Sequence, residues 1–127
     1  MGGGRWRVFP EKAPAGLWTT PKDLALFAVA VQKAAAGTAT PGISPAIAHE
    51  DLEPPFDAEQ GIGIRLGRSD DGYDIFYHYG ENPGYCAALV AGVSIGRGFV
   101  IMTNANKHGL TPILKAIARE FAWTPNR

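Results

Sequence analysis

The chain is organised around residues 76–85, which read FYHYGENPGY. Within this stretch Asn82-Pro83-Gly84 is a strong turn signal, because Pro fixes one backbone φ and Gly adopts the positive φ that other residues avoid. Apolar and aromatic residues flank the turn on both sides, so we predict two strands joined at this point. The titratable His78 then lies near the end of the first strand, which favours a functional site there.

Strand patterns continue on both sides of this hairpin. Residues 61–67 alternate apolar with small or charged residues and predict a strand, and the turn signal over 70–72 returns the chain into a second strand over 73–79. Residues 85–94 predict a third strand, and a glycine-rich turn leads to a fourth over 99–103. The pattern is typical of an antiparallel meander.

Three helices are predicted around these strands. Residues 20–23, Thr-Pro-Lys-Asp, indicate a helix start, because Thr caps, Pro suits the first helical position and Asp favours the positive end of the dipole. Ser44-Pro45 repeats this signal for a short helix that Pro54-Pro55 ends, and Thr111-Pro112 opens a last helix. The first helix has one apolar face at helical spacing: Leu24, Phe27, Ala28, Val31 and Ala35. The last has another: Leu114, Ile117, Ala118 and Phe121, with Trp123 near its end.

The order of these elements predicts an α+β fold, an antiparallel sheet of about four strands flanked by helices. A chain of 127 residues with 46% hydrophobic residues suits a single domain, residues 1–127, with residues 1–15 as an irregular arm. Twelve basic and twelve acidic side chains cancel without forming a block, so we expect no nucleic-acid partner.

We also expect no membrane association. The longest apolar passage, residues 85–102, is interrupted by glycines and Arg97, and the N-terminus lacks the apolar core of a secretory signal. These features predict a soluble chain of undetermined compartment.

The order and wording of three phrases resemble the C-terminal portion of the serine β-lactamase-like hydrolases, which include class C β-lactamases, carboxylesterases, D-aminopeptidases and penicillin-binding proteins. Residues 15–24, AGLWTTPKDL, are similar to that family's helix entry. Residues 78–85, HYGENPGY, are similar to its His-x-Gly motif with the following turn, and residues 100–104, VIMTN, to a strand that ends in Thr-Asn.

The resemblance implies a β-lactamase/transpeptidase-like fold and an acyl-enzyme mechanism on esters, amides or lactams, with a small acyl substrate and no cofactor. It implies that His78 takes the place of the third motif's cation or donor, that Gly80 lets substrate approach the strand, and that the Glu81 backbone N–H donates to the oxyanion. Asn82 is a further candidate for the substrate pocket. Three aromatic residues either line the same pocket or pack against one another around the end of the sheet: Trp18, Tyr79 and Tyr85.

The chain departs from the family in its nucleophile. None of its three serines, Ser44, Ser69 and Ser94, begins a Ser-x-x-Lys motif, and no Tyr-x-Asn or Ser-x-Asn occurs. We therefore expect a C-terminal segment that is inactive alone. A lone copy of these strands would expose an unpaired edge, so we expect self-association or a partner chain that supplies the missing part.

Other readings of the same residues stay open. The chain would alternatively be a non-catalytic module that binds a small molecule or a partner at the His78 strand. A hairpin centred on Asn82 would place His78 opposite Cys86, the only cysteine, and so activate its thiol. His49 and His108 are more simply structural, because the spacing of the three histidines matches no local metal motif, and we expect no metal.

Overall fold

The structure, a computed structural model, describes residue 10 and residues 15–54, 59–105 and 110–120. Within these residues three helices and four strands form, in the order α1 (Pro21–Ala35), α2 (Pro45–Leu52), β1 (Arg65–Arg68), β2 (Asp74–Asn82), β3 (Tyr85–Gly92), β4 (Gly98–Thr103) and α3 (Leu110–Glu120). The strands form one antiparallel sheet in the order β1-β2-β3-β4. The predicted α+β class is confirmed. The predicted arm over residues 1–15 lies outside the described residues except for Pro10 and Ala15.

Both N-terminal helices begin where the capping signals predict. The Thr20 hydroxyl oxygen accepts a hydrogen bond from the Asp23 backbone N–H at 3.1 Å, and the Ser44 hydroxyl oxygen accepts one from the Ile47 N–H at 3.2 Å. Such a cap stabilises a helix by about 1 kcal/mol. Local chemistry alone therefore fixes where α1 and α2 start.

The buried face of α1 differs in part from the predicted one. Ala28 and Val31 are buried as expected, but Phe27 is 45% exposed whereas Ala34 is fully buried. Phe27 and Ala34 are seven positions apart and so lie on the same side of the helix. Other parts of the protein cover this side of α1 only along its C-terminal half. The spacing of apolar residues in the sequence cannot show where along a helix such cover ends.

The first strand is shorter than predicted. Residues 61–64 form a tight loop in which the Gly61 N–H donates to the Ile64 carbonyl at 2.9 Å, and Gly63 has a φ of +77°. Because positive φ is incompatible with a strand, β1 begins only at Arg65. The prediction of a strand over residues 61–67 was thus wrong for residues 61–64.

Helices cover both faces of the sheet. We call the side of Phe76, His78 and Gly80 the front face and the side of Tyr77 and Tyr79 the back face, because successive strand residues point to opposite faces. The helices α1 and α2 pack on the front face and α3 on the back face. On the front face the core comprises Ala28, Val31, Leu66, Phe76, Leu89 and Ala91. On the back face it comprises Cys86, Ala88, Ile101 and Leu110, with Leu114 and Ile117 beside them.

The front-face cover ends part-way along β2. Phe76 is fully buried, whereas His78 and Gly80, two and four residues further on, are exposed. The predicted α3 residues Leu114, Ile117 and Ala118 do face the sheet side of the molecule, while Phe121 and Trp123 lie outside the described residues. The packing therefore leaves the second half of β2 open to solvent.

Candidate functional site

The site begins at the hairpin between β2 and β3. Asn82 pairs with Tyr85, so the loop consists of Pro83 and Gly84 alone, and Gly84 has a φ of +86°. Pro followed by a residue of positive φ is the arrangement that the sequence predicts for this turn. The turn fixes which residues of β2 and β3 face each other.

One edge of β2 is open beyond its fourth residue. The partner strand β1 pairs only with residues 74–77, and within the described residues no strand pairs with 78–82 on that side. The opposite edge of β2 is paired with β3 along residues 75–82. Residues 78–82 are therefore an edge strand with one row of backbone groups facing away from the sheet.

The hydrogen bonds show which groups face outward. The Val93 N–H donates to the Asp74 carbonyl at 2.8 Å, so the backbone groups of Asp74 point toward β3, and the Ser69 N–H donates to the Tyr73 carbonyl at 2.8 Å on the β1 side. This direction alternates along an antiparallel strand. The N–H groups of Tyr79 and Glu81 consequently point to the open edge, and those of 78, 80 and 82 point toward β3.

The front face has open space above Gly80, and we call this space, between His78 and Asn82, the notch. Gly80 pairs with Ala87, so the two small residues form its floor, and a Cβ placed on Gly80 would meet no atom within 4 Å. His78 and Asn82 lie on either side of Gly80 on the same face. Three predicted site residues are thereby brought together. Ala87 was missed, although a hairpin loop of Pro83 and Gly84 already implies that it lies opposite Gly80.

Two aromatic side chains bound the notch at the hairpin end. Tyr85 pairs with Asn82, and both side chains lie on the front face. The centroids of the Tyr85 and Trp18 rings are 6.4 Å apart, with an angle of 68° between the ring planes. Tyr85 is 56% exposed and Trp18 is 67% exposed. The segment before α1 thus reaches the same end of β2 as the hairpin.

Tyr79, another predicted pocket residue, lies on the back face. The centroid of its ring lies 5.5 Å from that of the Tyr77 ring, on the face opposite the notch. Partial burial raises the pKa of the Tyr79 phenol, and the neighbouring Tyr77 raises it further. The phenol is therefore neutral at physiological pH and offers a hydrogen bond rather than a base. The Glu81 side chain also lies on the back face, so Glu81 presents only its backbone N–H and carbonyl at the open edge.

The alternative alignment, with His78 opposite Cys86, does not occur. The turn centres between Pro83 and Gly84 rather than on Asn82, so His78 pairs with Leu89, and Cys86 pairs with Glu81. Cys86 is buried on the back face, whereas His78 is exposed on the front face. The sheet separates the two side chains, and no thiol–imidazole pair forms.

The structure describes two of the three histidines, His49 and His78. His49 is exposed on α2, and His108 lies outside the described residues. Among the residues that the structure describes, no three His, Cys, Asp or Glu side chains come together as a metal would require. No helix in the described part of the chain is long and apolar enough to cross a membrane.

A surface cavity of about 490 Å³ lies at the other end of β2, beside β1. Its lining includes Leu52, Pro54, Arg68 and Asp74, and the two charged groups are 3.4 Å apart and about 70% exposed. An exposed ion pair of this kind contributes little stability, typically below about 1 kcal/mol. The lining has no nucleophile or titratable group left without its partner, so the open edge is the better candidate.

Comparisons of the chain with models of known protein families, with curated proteins and with solved structures find no match.

Proposed function

We propose that this chain supplies the His-x-Gly strand of a serine hydrolase related to the β-lactamases, and that the attacking serine comes from polypeptide outside these 127 residues. The observation that carries the proposal is the open edge of β2, where an outward N–H at Glu81 follows a glycine with free space above it. Such an edge suits a flat acyl group lying beside the strand. The resemblance of residues 15–24, 78–85 and 100–104 supports the same assignment.

Each group at the edge has a separate role in the proposed reaction. The serine oxygen bonds to the acyl carbon while the bond from that carbon to the leaving group breaks, and the serine proton passes to the leaving group. Water then attacks the acyl carbon of this ester, so that its oxygen becomes part of the released acid and one of its protons returns to the serine oxygen. The Glu81 N–H stabilises the negative carbonyl oxygen that forms in both steps. Gly80 leaves room for the substrate, and the exposed His78 imidazole hydrogen-bonds to it at the other side of the glycine.

The test is reconstitution of turnover. The chain is mixed with the N-terminal segment of a β-lactamase-like esterase that carries Ser-x-x-Lys and Tyr-x-Asn, and hydrolysis of p-nitrophenyl acetate and nitrocefin is followed. We expect no turnover by the chain alone, and turnover by the mixture. Glu81→Pro, which removes the outward N–H, lowers that turnover by about 10²–10³-fold, the usual effect of losing one oxyanion donor.

The matched controls keep the chain folded and change one group at a time. Glu81→Ala retains the N–H and should keep turnover, because the side chain lies on the back face. His78→Ala should lower turnover, whereas His49→Ala, which alters an exposed histidine on α2, should not. Hydrolysis by the chain alone, or a mixture that is indifferent to Glu81→Pro and His78→Ala, would refute the proposal.

A second candidate is a non-catalytic module that binds an extended peptide at the same edge. The outward backbone groups of Tyr79 and Glu81 are what strand addition uses, since an added strand bonds to alternate residues. Peptide binding that Glu81→Pro abolishes, with no turnover in any mixture, would favour this function over hydrolysis.

A further inference from the structure

We propose that the surface cavity beside β1 binds a small organic cation, a primary amine on an apolar chain of about six carbon atoms. The cavity has a volume of about 490 Å³ and lies between the end of α2 and the β1–β2 hairpin. Small-molecule sites in proteins are typically clefts of about 300–1,000 Å³ with apolar walls and few polar groups. The cavity shares no residue with the proposed reaction centre and lies at the opposite end of β2.

The walls of the cavity suit an apolar chain. Leu52 ends α2, Pro54 follows it, and Leu66 lies on β1, on the front face that α2 covers. Leu66 is buried, whereas Pro54 is exposed at the mouth. Apolar area removed from water on such side chains stabilises a complex in proportion to its extent. The lining therefore favours a ligand whose body is a hydrocarbon chain.

Two charged side chains line the cavity, and their charges offset each other. Arg68 and Asp74 are paired across the β1–β2 hairpin, and the Arg68 Nε lies 3.4 Å from the Asp74 Oδ1. The same Nε donates a hydrogen bond to the Gly72 carbonyl oxygen at 3.0 Å, which holds the guanidinium against the turn. A carboxylate has two oxygens and about four acceptor sites. Asp74 can therefore accept a hydrogen bond from an ammonium group in addition to its contact with Arg68.

The surroundings of the cavity are acidic. Glu53 lies between two lining residues, and Asp70 and Asp71 lie in the turn that joins β1 to β2; all three are exposed. Leu52 is the last residue of α2, and the carboxyl end of a helix carries partial negative charge. Residues 50–74 contain eight acidic and two basic side chains, whereas the rest of the chain contains four acidic and ten basic ones. The charge around the cavity therefore favours a cation over an anion of the same size.

The experiment measures binding of hexylamine, hexanol and hexanoate to the whole chain by NMR. Hexylamine should shift the methyl signals of Leu52 and Leu66 and bind about tenfold more tightly than hexanoate, with hexanol between the two. The affinity for hexylamine should fall several-fold as the NaCl concentration rises, because salt screens the carboxylates, whereas the affinity for hexanol should not fall. Hexanoate that binds as tightly as hexylamine, or hexylamine that leaves both leucine signals unmoved, would overturn the inference.

Two variants of equal net charge test where the ammonium group binds. Asp74→Asn keeps the shape of the lining and should lower the affinity for hexylamine about threefold to fivefold. The variant should fold, because the exposed ion pair that it removes contributes little stability. Glu120→Gln removes an exposed carboxylate from α3, on the other face of the sheet, and should leave binding unchanged. If the two variants bound hexylamine equally well, the ammonium group would not be held at the cavity and the inference would fail.

A series of amines tests the apolar walls without changing the chain. From ethylamine through butylamine to hexylamine, the affinity should rise about twofold for each added methylene group, roughly half the free energy of full burial, because the cavity is open to solvent. An affinity that does not change with chain length would mean that the amines bind the acidic surface outside the cavity, and the site would be refuted. Each readout is binding rather than turnover, so the outcome does not depend on the proposed hydrolysis.

Discussion

Gln32 shows how one side chain joins two distant parts of the chain. It lies on α1, and its amide N–H₂ donates to the Gly92 carbonyl at 2.7 Å and to the Arg97 carbonyl at 2.9 Å. These carbonyls lie at the two ends of the β3–β4 turn. Both amide protons are thereby used, and α1 is fixed over the sheet that it covers. No local signal in the sequence marks this glutamine, because its partners are 60 and 65 residues away.

Replacing Gln32 should destabilise the whole fold. Gln32→Ala leaves the carbonyl of the buried Gly92 without its side-chain donor, which costs roughly 1–3 kcal/mol of unfolding free energy. Urea denaturation followed by circular dichroism measures the change. Lys33→Ala, at the exposed next position of the same helix, should change the free energy by less than about 0.5 kcal/mol. If the Gln32→Ala variant were as stable as the Lys33→Ala variant, the two Gln32 hydrogen bonds would not stabilise the fold as we predict.

Gln32→Glu should make the stability of the fold depend on pH. The carboxylate would face two carbonyl oxygens with no donor, so folding raises the pKa of this Glu above its value in the unfolded chain. The folded state then binds more protons, and the stability of the variant falls as pH rises between the unfolded and folded pKa values. At acidic pH the free energy of unfolding of Gln32→Glu should approach that of the original chain. At neutral pH it should be lower than that of Gln32→Ala.

At the scale of the element, β2 combines two kinds of strand. Over residues 74–77 it is an interior strand between β1 and β3, and over residues 78–82 it is an edge strand. The change occurs because β1 begins only at Arg65, opposite Tyr77, and the chain before it forms a loop that turns at Gly63. The turn at Pro83-Gly84 was predictable from local chemistry. The length of β1, and hence the exposure of residues 78–82, was not, because the alternating residues 61–67 fit a longer strand equally well.

Proline substitutions along β2 should therefore alternate in effect. His78→Pro removes an N–H that points toward β3, which costs roughly 0.5–1.5 kcal/mol for the ladder bond, with added strain. Glu81→Pro removes an outward N–H and should be tolerated, since proline is accepted on the open side of an edge strand. Thermal and urea denaturation of the two variants check the order. If Glu81→Pro were the more damaging one, the assignment of outward groups would be wrong.

At the scale of the whole molecule, the described sheet has a second open edge at β4. The Gly92 N–H donates to the Arg97 carbonyl at 2.9 Å, so the alternation places the N–H groups of Val100 and Met102 on the side away from β3. No strand in the described residues pairs with that side. Unpaired edges and exposed apolar side chains favour association between chains.

We expect this chain to self-associate reversibly through β4. Sedimentation equilibrium should show a mass that rises with concentration. Met102→Pro should shift the equilibrium toward monomer, because it blocks the outward edge and leaves the bonds to β3 in place. Met102→Leu keeps the edge and should behave as the original chain. A single monomeric species at every concentration would rule out association.

Local signals in the sequence determined the helix starts at Thr20 and Ser44, the turn at Pro83-Gly84 and the α+β class, because each depends on interactions between residues close in the chain. That turn also sets the register of β2 and β3, so it places Ala87 opposite Gly80 and puts His78 and Cys86 on opposite faces. Only the tertiary structure decided that residues 78–82 lack a neighbour on one side among the described residues, and that the helix cover of the front face stops between Phe76 and His78. Both features depend on where β1 begins and on where each helix stops covering the sheet, and packing across the whole domain decides these positions.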